Sequence, residues 1–243
     1  MKIIKLNAID STNSFLKEMA LNSAVENFTV VVTDRQLKGR GQQGNGWVSE
    51  SFKNLVFSVF VIFDNFKVLD NKYLNFAVSL AIFDALKEEN IPAISIKWPN
   101  DILSGNKKIC GVLIENSLKG TEISSSIIGI GLNVNQTSFP DSLKRASSLK
   151  LLSAKDFELD KLLENIVSKL KTKIDILKSK DFKFLEIEYL NVLHKKNIPT
   201  MFKNSQDVLF MGIICGISQE GKLQIALEDE TIQEFGIKEV SFL

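Results

Sequence analysis

The chain has 243 residues, and 44% of them are hydrophobic, which is enough to form a substantial core. Its 30 Lys and Arg residues are balanced by 29 Asp and Glu residues, giving a net charge of +1, so the overall charge predicts binding neither to nucleic acid nor to a membrane surface. The N-terminal apolar run is too short for a signal peptide, and no stretch approaches the roughly 18 apolar residues of a membrane span, so we expect a cytoplasmic protein.

The N-terminal segment predicts a short strand, residues 3–6, followed by a helix. Asp10, Ser11 or Thr12 is expected to cap that helix. Residues at a helix start present free N–H groups and hydroxyls to a neighbouring polar ligand. Simple capping explains the same residues equally well, and this segment alone leaves both interpretations open.

A glycine-rich basic loop, residues 34–47, joins two predicted strands, residues 28–33 and 54–63. It reads D-R-Q-L-K-G-R-G-Q-Q-G-N-G-W and ends on the aromatic Trp47. Its glycines allow the backbone to lie against a ligand, and its basic side chains favour an anion. The loop therefore predicts a site for an anion joined to something flat. A solvated loop with chance glycines is the alternative.

The spacing of Gly39, Gly41 and Gly44 also matches the pattern G-x-G-x-x-G of dinucleotide-binding proteins. That motif requires glycines tight against a strand end and a helix immediately after them. Here residues 34–38 separate the predicted strand from the first glycine, and residues 45–54 lack the apolar period of a helix. A Rossmann oxidoreductase is therefore not predicted.

The central region predicts one helix and four strands. The helix covers residues 73–89, and the strands cover residues 94–97, 101–103, 108–115 and 127–135. The last strand alternates between an apolar face and a bare, polar face formed by Gly129, Gly131, Asn133 and Asn135. Glycines inside a strand usually mark the close approach of another group, so this second face is expected to form the floor of a pocket.

The C-terminal third predicts two amphipathic helices, residues 159–178 and 181–195. Short strands follow, and they suggest a small β-barrel that packs on the main domain: residues 208–217, 222–227, 231–235 and 237–242. Cys110 and Cys215 lie in apolar runs without metal-ligand spacing and are expected to be buried. Because His194 is the single histidine, neither a zinc site nor a Cys-His nucleophile is predicted.

Two lysines occupy unusual positions in the central strands. Lys97, in K-W-P-N-D, and Lys108, in K-K-I-C-G-V-L-I-E, adjoin mostly apolar residues, where a lysine needs an anionic partner. The neighbouring Asn100 and Asp101 could hold Mg²⁺. Two anions about 3.5 Å apart repel by roughly 5 kcal/mol at an effective dielectric near 20, and such cations would offset this repulsion. The set suits the joining of a carboxylate to a nucleotide phosphate.

Five motifs in this order resemble those of the biotin–protein ligases: S-T-N, Q-x-x-G-R-G-x-x-G-x-x-W, K-W-P-N-D, K-K-I-x-G-V-L-I-E and G-x-G-L-N. The resemblance implies an α+β fold, in which helices flank a mixed β-sheet of the class II synthetase-like type found in biotin and lipoate ligases. It also implies a C-terminal SH3-like β-barrel. On this basis we expect a catalytic domain over residues 1–196 and the barrel over residues 197–243.

The resemblance also implies roles for individual residues. The expected biotin-binding residues are Ser11, Thr12, Gln36, Gly39, Arg40 and Gly111. The expected nucleotide-binding residues are Trp47, which would stack on adenine, and Asn100, Asp101, Lys108 and Asn133. Lys108 would bridge the biotin carboxylate and the α-phosphate, and Lys97 and Arg40 are the other expected catalytic cations. Gly41, Gln42 and Gly44 would belong to a flexible loop that closes over biotin, and Asp101 is the candidate Mg²⁺ ligand.

Such enzymes use Mg-ATP to convert biotin into biotinyl-5'-adenylate, release pyrophosphate, and transfer biotin to one lysine of a biotin carboxyl carrier domain. A lipoate–protein ligase is the alternative, because it shares the catalytic fold and the adenylate chemistry. A non-catalytic biotin or nucleotide sensor is a second alternative, against which the presence of both Arg40 and Lys108 argues. The chain enters the expected catalytic domain within its first dozen residues, so we expect the monofunctional type without a DNA-binding domain.

Two further expectations concern the loop and the assembly. Gln42 stands where many relatives have an arginine, and a neutral amide cannot make the same charge-assisted hydrogen bond to the intermediate. Other donors, with Asn45 as the candidate, are expected to compensate. Exposed edge strands would allow a homodimer, although the sequence locates no interface.

Overall fold

The structure, a computed structural model, describes residues 2–243, apart from the side chain of Gln43. Its larger sheet contains the strands β1 (Lys2–Ile9), β2 (Thr29–Gln36), β3 (Leu55–Lys67), β4 (Ile94–Lys97), β5 (Asp101–Ser104), β6 (Lys107–Lys119) and β7 (Glu122–Leu132). They run in the order β1-β2-β3-β7-β6-β5-β4. β1 and β2 are parallel, whereas the other neighbours are antiparallel, so the sheet is mixed.

Helices cover both faces of this sheet. They are α1 (Thr12–Asn22), α2 (Asn71–Glu88), α3 (Leu149–Ser153), α4 (Leu159–Lys178) and α5 (Phe182–Asn191). α2 is almost entirely apolar on its buried side and lies in one core cluster with the buried stripe of α4. α1 packs on the opposite face, where Leu16 joins Val31, Phe60 and Ile127 in a second, smaller cluster. Burial of these helix stripes is the main contribution to helix stability, because it removes apolar area from water.

The C-terminal residues form a second, antiparallel sheet of five strands. These are β8 (Pro199–Asn204), β9 (Leu209–Ile217), β10 (Leu223–Leu227), β11 (Ile232–Phe235) and β12 (Val240–Phe242), in the order β11-β10-β9-β8-β12. Aromatic rings link its strands: Phe235 stacks on Phe210 at 5.4 Å, and Phe202 meets Phe242 edge-on at 5.3 Å. Its buried side chains continue into the core cluster of the larger sheet.

These features confirm the predicted α+β class, with a mixed sheet flanked by helices and a small C-terminal β-domain. The domain boundary between residues 196 and 197 stays a prediction. Among residues 2–243, no helix is both long enough and apolar enough to span a membrane.

Several local predictions were wrong. The predicted strand 127–135 ends at Leu132, and the predicted helix 181–195 ends at Asn191. Residues after α5 instead run beside β4, where Ile96 N donates to Val192 O and His194 N donates to Ile96 O. α3 and β8 were not predicted as separate elements. Cys110 is buried as expected, but Cys215 is only half-buried.

Candidate active site

A cavity of about 230 Å³ opens over the face of the larger sheet that carries α1. Three sequence segments supply most of its walls: the start of α1, the glycine-rich loop, and the strands β5 to β7. It brings together eleven of the predicted site residues: Ser11, Thr12, Gln36, Arg40, Gly41, Gln42, Trp47, Asn100, Asp101, Lys108 and Gly111. We call this cavity the main pocket.

The floor of the main pocket consists of glycines on adjacent strands. Strand register aligns Gly131 of β7 with Gly111 of β6, and Gly129 lies two residues away on the same face. A Cβ on Gly129 would fall within 3.0 Å of the Asn13 carboxamide, and a Cβ on Gly131 would fall within 3.0 Å of the Trp47 indole. The bare face that the alternation predicted therefore accommodates two side chains, a carboxamide at one end and an aromatic ring at the other.

Hydrogen bonds fix the carboxamide end of the pocket. Thr12 N donates to Gln36 Oε1 at 3.0 Å, and Ser58 Oγ lies 2.7 Å from Thr12 Oγ1. Ser58 Oγ also contacts Asn13 Oδ1, and Asn13 Nδ2 donates to Glu115 Oε2 at 2.8 Å. Since Thr12, Asn13 and Ser58 are all buried, these polar groups are held in fixed directions.

Arg40 joins this network from the glycine-rich loop. Its Nη2 donates to Glu115 Oε2 at 2.7 Å, and the two side chains are 43% and 24% exposed. A partly exposed ion pair of this kind contributes little to stability, on the order of 1 kcal/mol or less. It does hold a guanidinium at the pocket rim, where an anionic ligand can compete with Glu115 for its donors.

Three residues of this network were not among the predicted site residues: Asn13, Ser58 and Glu115. Asn13 and Glu115 stand inside the quoted motifs, and Ser58 is the single polar residue within the apolar run L-V-F-S-V-F-V-I-F, so each carried a sequence signal. Ser11 caps α1, because its Oγ accepts from Ser14 N at 3.4 Å. It lines the pocket at the same time, so capping and ligand contact are compatible for this residue.

A β-bulge directs Lys108 into the pocket. Between β5 and β6 the register shifts, so that Ile102 pairs with Cys110 but Leu103 pairs with Lys108, leaving Ile109 as an extra residue. As a result, Lys108 Nζ lies 3.3 Å from the position that a Gly111 Cβ would occupy. The ammonium group pairs with Asp101 Oδ1 at 2.7 Å and lies 5.8 Å from the centre of the Trp47 ring. A cation, a carboxylate and an aromatic face thus meet at the second end of the pocket.

The glycine-rich loop is folded as a small hairpin against the pocket. Trp47 N donates to Gly39 O at 2.9 Å, and Arg40 bridges Gly46 in antiparallel fashion. A Cβ on Gly39 would fall within 3.0 Å of both Trp47 O and Gln36 Nε2, so this position excludes any side chain. Gly44 has φ +81°, which favours glycine, and lies at the tip of the hairpin, outside the pocket lining.

Four predicted site residues do not line the main pocket: Gly39, Gly44, Lys97 and Asn133. Lys97 points at the C-terminal sheet, where its Nζ lies 5.0 Å from the centre of the Phe242 ring. Burial lowers the pKa of the Lys97 amine, and the nearby Asp101 carboxylate opposes this effect. Asn133 lies just after β7, and its Nδ2 donates to Ser147 O at 3.0 Å. Its buried Oδ1 has no hydrogen-bond partner among the described residues.

The C-terminal sheet contributes two residues to the pocket that the sequence did not reveal. Ile237 and Lys238, in the turn between β11 and β12, lie at its edge. Lys238 has φ +70° in this turn, a left-handed backbone conformation that is uncommon for a lysine. Because this turn is more than a hundred residues away from the other pocket residues in sequence, no local pattern could have indicated it.

Metal-binding capacity is limited. No group of three or more His, Cys, Asp or Glu side chains that could hold a metal ion occurs within the described part of the chain. Asp101 is the single carboxylate among the pocket-lining residues of that part. Mg²⁺ is commonly held by one or two carboxylates together with substrate phosphates, so Asp101 is the pocket residue with the chemistry to contribute to such a site.

The profile of the Biotin/lipoate A/B protein ligase family matches residues 6–133, a range that contains the main-pocket residues of α1, the glycine-rich loop and β3 to β7. The chain belongs to this family. A bifunctional ligase/repressor BirA from Bacillus spizizenii is 33% identical over 168 residues, covering 68% of this chain and 51% of the relative. A biotin–[acetyl-CoA-carboxylase] ligase from Paracoccus denitrificans is 32% identical over 127 residues, covering 51% of each protein. The chain therefore spans about half the length of these curated relatives.

Solved structures of biotin protein ligases match this chain over almost its whole length. The biotin protein ligase from Aquifex aeolicus in complex with biotin and ATP is 30% identical, with a TM-score of 0.81, and the match covers 100% of this chain and 98% of the relative. The biotin protein ligase from Leishmania major in complex with biotinyl-5-AMP has a TM-score of 0.67 at 22% identity, which supports the shared fold alone.

Proposed function

We propose that this protein is a biotin–protein ligase, which activates biotin with ATP and transfers it to a lysine of a biotin carboxyl carrier domain. The observation that carries the proposal is the main pocket, where fixed hydrogen-bonding groups at one end adjoin cations and an aromatic ring at the other. The hydrogen-bonding end suits a neutral ring system, and the cationic end suits the carboxylate of that molecule together with a nucleotide phosphate. Support also comes from the Aquifex aeolicus enzyme of the same family, which was solved with biotin and ATP.

In the proposed first step, a biotin carboxylate oxygen attacks the α-phosphorus of Mg-ATP, and the bond to pyrophosphate breaks to give biotinyl-5'-adenylate. Ser11, Thr12 and Gln36 would bind the biotin ring. Lys108 Nζ, paired with Asp101 at 2.7 Å, would lie between the carboxylate and the phosphate and offset their repulsion. The remaining contribution of the protein is the positioning of the two reactants.

The other predicted residues have supporting roles in this proposal. Trp47 would cover the adenine, and Asn100 and Asp101 would contact the nucleotide and its Mg²⁺. Arg40 would exchange its Glu115 partner for the adenylate phosphate when the glycine-rich loop closes. Lys97 and Asn133, which do not line the pocket, would act only through neighbours: Lys97 lies beside Asp101 in the strand register, and Asn133 orders the segment after β7.

In the proposed second step, the uncharged amine of the acceptor lysine attacks the carbonyl carbon of the adenylate. The new carbon–nitrogen bond replaces the carbon–oxygen bond to AMP, AMP leaves with the electron pair, and the amine proton passes to solvent. Arg40 and Lys108 would also stabilise the charge on the leaving AMP.

A mass measurement tests this proposal against its alternative, a lipoate–protein ligase. The protein is incubated with Mg-ATP and either biotin or lipoate, an apo-carrier domain is added, and the carrier mass is measured. We expect the mass increase of one biotinyl group in the biotin reaction and no increase with lipoate. A lipoyl increase would establish the alternative, and no increase with either acid would indicate a non-catalytic sensor.

The loop residue Asn45 provides a second prediction. Gln42 is neutral, so retention of the adenylate must depend on other donors, and Asn45 also lines the main pocket. Replacing Asn45 by alanine should therefore shorten the lifetime of enzyme-bound biotinyl-adenylate by about fivefold, as expected for one lost hydrogen bond of roughly 1 kcal/mol. The lifetime is measured by isolating the complex and following release of radiolabelled adenylate.

The matched control for this measurement is Asn27→Ala. Asn27 lies in the turn before β2, and its side-chain Oδ1 accepts from Ile62 N away from the main pocket. Equal lifetimes in the unmodified protein and Asn45→Ala would contradict the compensation by Asn45. Rapid leakage from the unmodified protein, with labelling of bystander proteins, would show that no donor compensates.

A further inference from the structure

Ser58 places a fully buried hydroxyl in the otherwise apolar stretch of β3 over residues 55–63. It lies on the face of β3 that carries α1, because Val56, two residues before it, lines the main pocket and Phe60, two residues after it, packs with α1. A buried hydroxyl needs hydrogen-bond partners to offset its loss of water. Both partners of Ser58 Oγ belong to the start of α1: Thr12 Oγ1 at 2.7 Å and Asn13 Oδ1.

The direction of these hydrogen bonds is set by acceptors beyond Asn13. Asn13 Nδ2 lies 2.8 Å from Glu115 Oε2 and 3.3 Å from Leu113 O. A backbone carbonyl and the carboxylate that pairs with Arg40 can only accept, so the amide nitrogen of Asn13 must face them. The oxygen of this carboxamide is therefore turned towards Ser58. It fits there because a glycine occupies position 129, where a Cβ would collide with it.

Ser58 passes this direction on to Thr12. An amide oxygen cannot donate, so Ser58 gives its single proton to Asn13 Oδ1. Its contact with Thr12 Oγ1 must then run the other way, with the Thr12 hydroxyl donating to Ser58 Oγ. The second acceptor within reach of this hydroxyl, Gln36 Oε1 at 3.4 Å, also belongs to the protein. Because its one proton is engaged inside the protein, Thr12 Oγ1 offers a ligand only a lone pair.

The carboxamide of Gln36 is fixed in the opposite sense. Its Oε1 accepts from Thr12 N at 3.0 Å, so its Nε2 is directed elsewhere and lies beside Gly39, 2.7 Å from the position of a Cβ on that residue. Thr12 and Gln36 both line the main pocket. A group that can only accept therefore adjoins a group that donates. This pair is complementary to a ring that carries an N–H next to a C=O.

We propose that Ser58 is a positioning residue that makes this end of the main pocket selective for a ligand N–H. The inference rests on the proposed ligase function and names the substrate class that it would accept: an acid whose ring bears an N–H beside a carbonyl, as in the cyclic urea of biotin. Ser58 is not among the residues that line the main pocket within the described chain, so it acts through Thr12. A ring without an N–H, such as the dithiolane of lipoate, leaves the Thr12 lone pair without a donor.

Binding of biotin and of two carbamate analogues tests this assignment. Each analogue replaces one ring N–H by an oxygen atom and keeps nearly the same shape. We expect the unmodified protein to bind at least one of them roughly 100-fold more weakly than biotin, because two acceptors then face each other. In Ser58→Ala the Thr12 hydroxyl is released and can donate to that oxygen, so this ratio of Kd values should fall below about tenfold. Isothermal titration calorimetry without ATP measures each Kd.

Two further variants separate the role of the hydroxyl from that of packing. Ser58→Thr keeps a hydroxyl at the same position and should keep the ratio, even if its extra methyl group changes all Kd values together. Ser79→Ala is the matched control, because Ser79 on α2 is also fully buried and its Oγ has no hydrogen-bond partner among residues 2–243. It should bind biotin and both analogues like the unmodified protein.

A ratio that falls in Ser58→Ala and is kept in Ser58→Thr would support the assignment. Equal weakening of biotin and the analogues in Ser58→Ala would overturn it, because Ser58 would then only support the fold. A ratio that falls as far in Ser58→Thr would also overturn it. Equal binding of all three ligands by the unmodified protein would overturn the selectivity while leaving the ligase function intact. Failure of the unmodified protein to bind biotin would overturn the proposed function itself, and the inference with it.

Discussion

Replacing Lys108 by alanine is expected to abolish biotinyl-adenylate formation. The bulge at Ile109 aims Lys108 into the main pocket, where its ammonium lies next to the Gly111 floor and pairs with Asp101. In the variant, no equivalent cation would separate the carboxylate from the phosphate, and the Asp101 carboxylate would add its own repulsion. Loss of one such stabilising group costs about 100-fold to 1000-fold in rate, which we expect to see as loss of biotin-dependent ATP–pyrophosphate exchange.

The neighbouring Lys107 provides the matched control. Its side chain is exposed and donates to Lys144 O at 2.9 Å, so it lies outside the main pocket. Lys107→Ala carries the same change in charge and composition and should exchange pyrophosphate at the normal rate. Thermal unfolding of both variants should match that of the unmodified protein. Near-normal exchange in Lys108→Ala would remove the central cation from the proposed mechanism.

The sequence was sufficient to predict the pocket floor but not its extent. The alternation from Ile127 onward correctly separated a core face from a bare face, because the period of a strand depends only on local backbone geometry. It could not show that β7 ends at Leu132, where hydrogen bonding to other segments takes over. Asn133 and Asn135 therefore do not lie on the predicted face. Their side-chain Nδ2 atoms donate instead to Ser147 O and Phe157 O, respectively.

The direction of Lys108 shows why strand period alone does not define a site. Strict alternation would place Lys108 with Cys110 on one face and Ile109 with Gly111 on the other. The bulge buries both Ile109 and Cys110 and turns Lys108 towards Gly111. An extra residue in one strand is set by its pairing with β5, which the sequence of β6 alone does not encode.

Contacts between segments that are distant in sequence were the second feature that could not be predicted from the sequence. Lys97 was expected among the catalytic cations, but its side chain faces Phe242, which comes from the last strand of the chain. Conversely, Lys238 reaches the pocket edge from a turn whose sequence shows no relation to the five motifs. Both outcomes follow from the way the C-terminal sheet docks, through Trp98 and Lys72, beside α2.

The contact between Gly131 and Trp47 leads to the second large expected effect. Adding a methyl group at Gly131 would bring it within 3.0 Å of the indole ring, so the ring must leave the floor of the pocket. If Trp47 covers the adenine, Gly131→Ala should raise the Kd for ATP about 5-fold to 150-fold, because stacking of an aromatic side chain on a base is worth roughly 1–3 kcal/mol. Isothermal titration calorimetry measures this change directly.

A double-mutant cycle distinguishes displacement of the ring from general damage to the sheet. Trp47→Ala should weaken ATP binding by a similar factor, and the double variant Gly131→Ala/Trp47→Ala should bind no more weakly than either single variant, since the methyl group then has no ring to displace.

Gly216→Ala is the matched control: it adds a methyl group to a strand glycine of β9, where the close neighbour is the flexible end of Gln224. Additive losses in the double variant would mean that Gly131 acts on the nucleotide independently of Trp47. An unchanged Kd in Gly131→Ala would mean that the floor position of the ring is irrelevant to ATP binding.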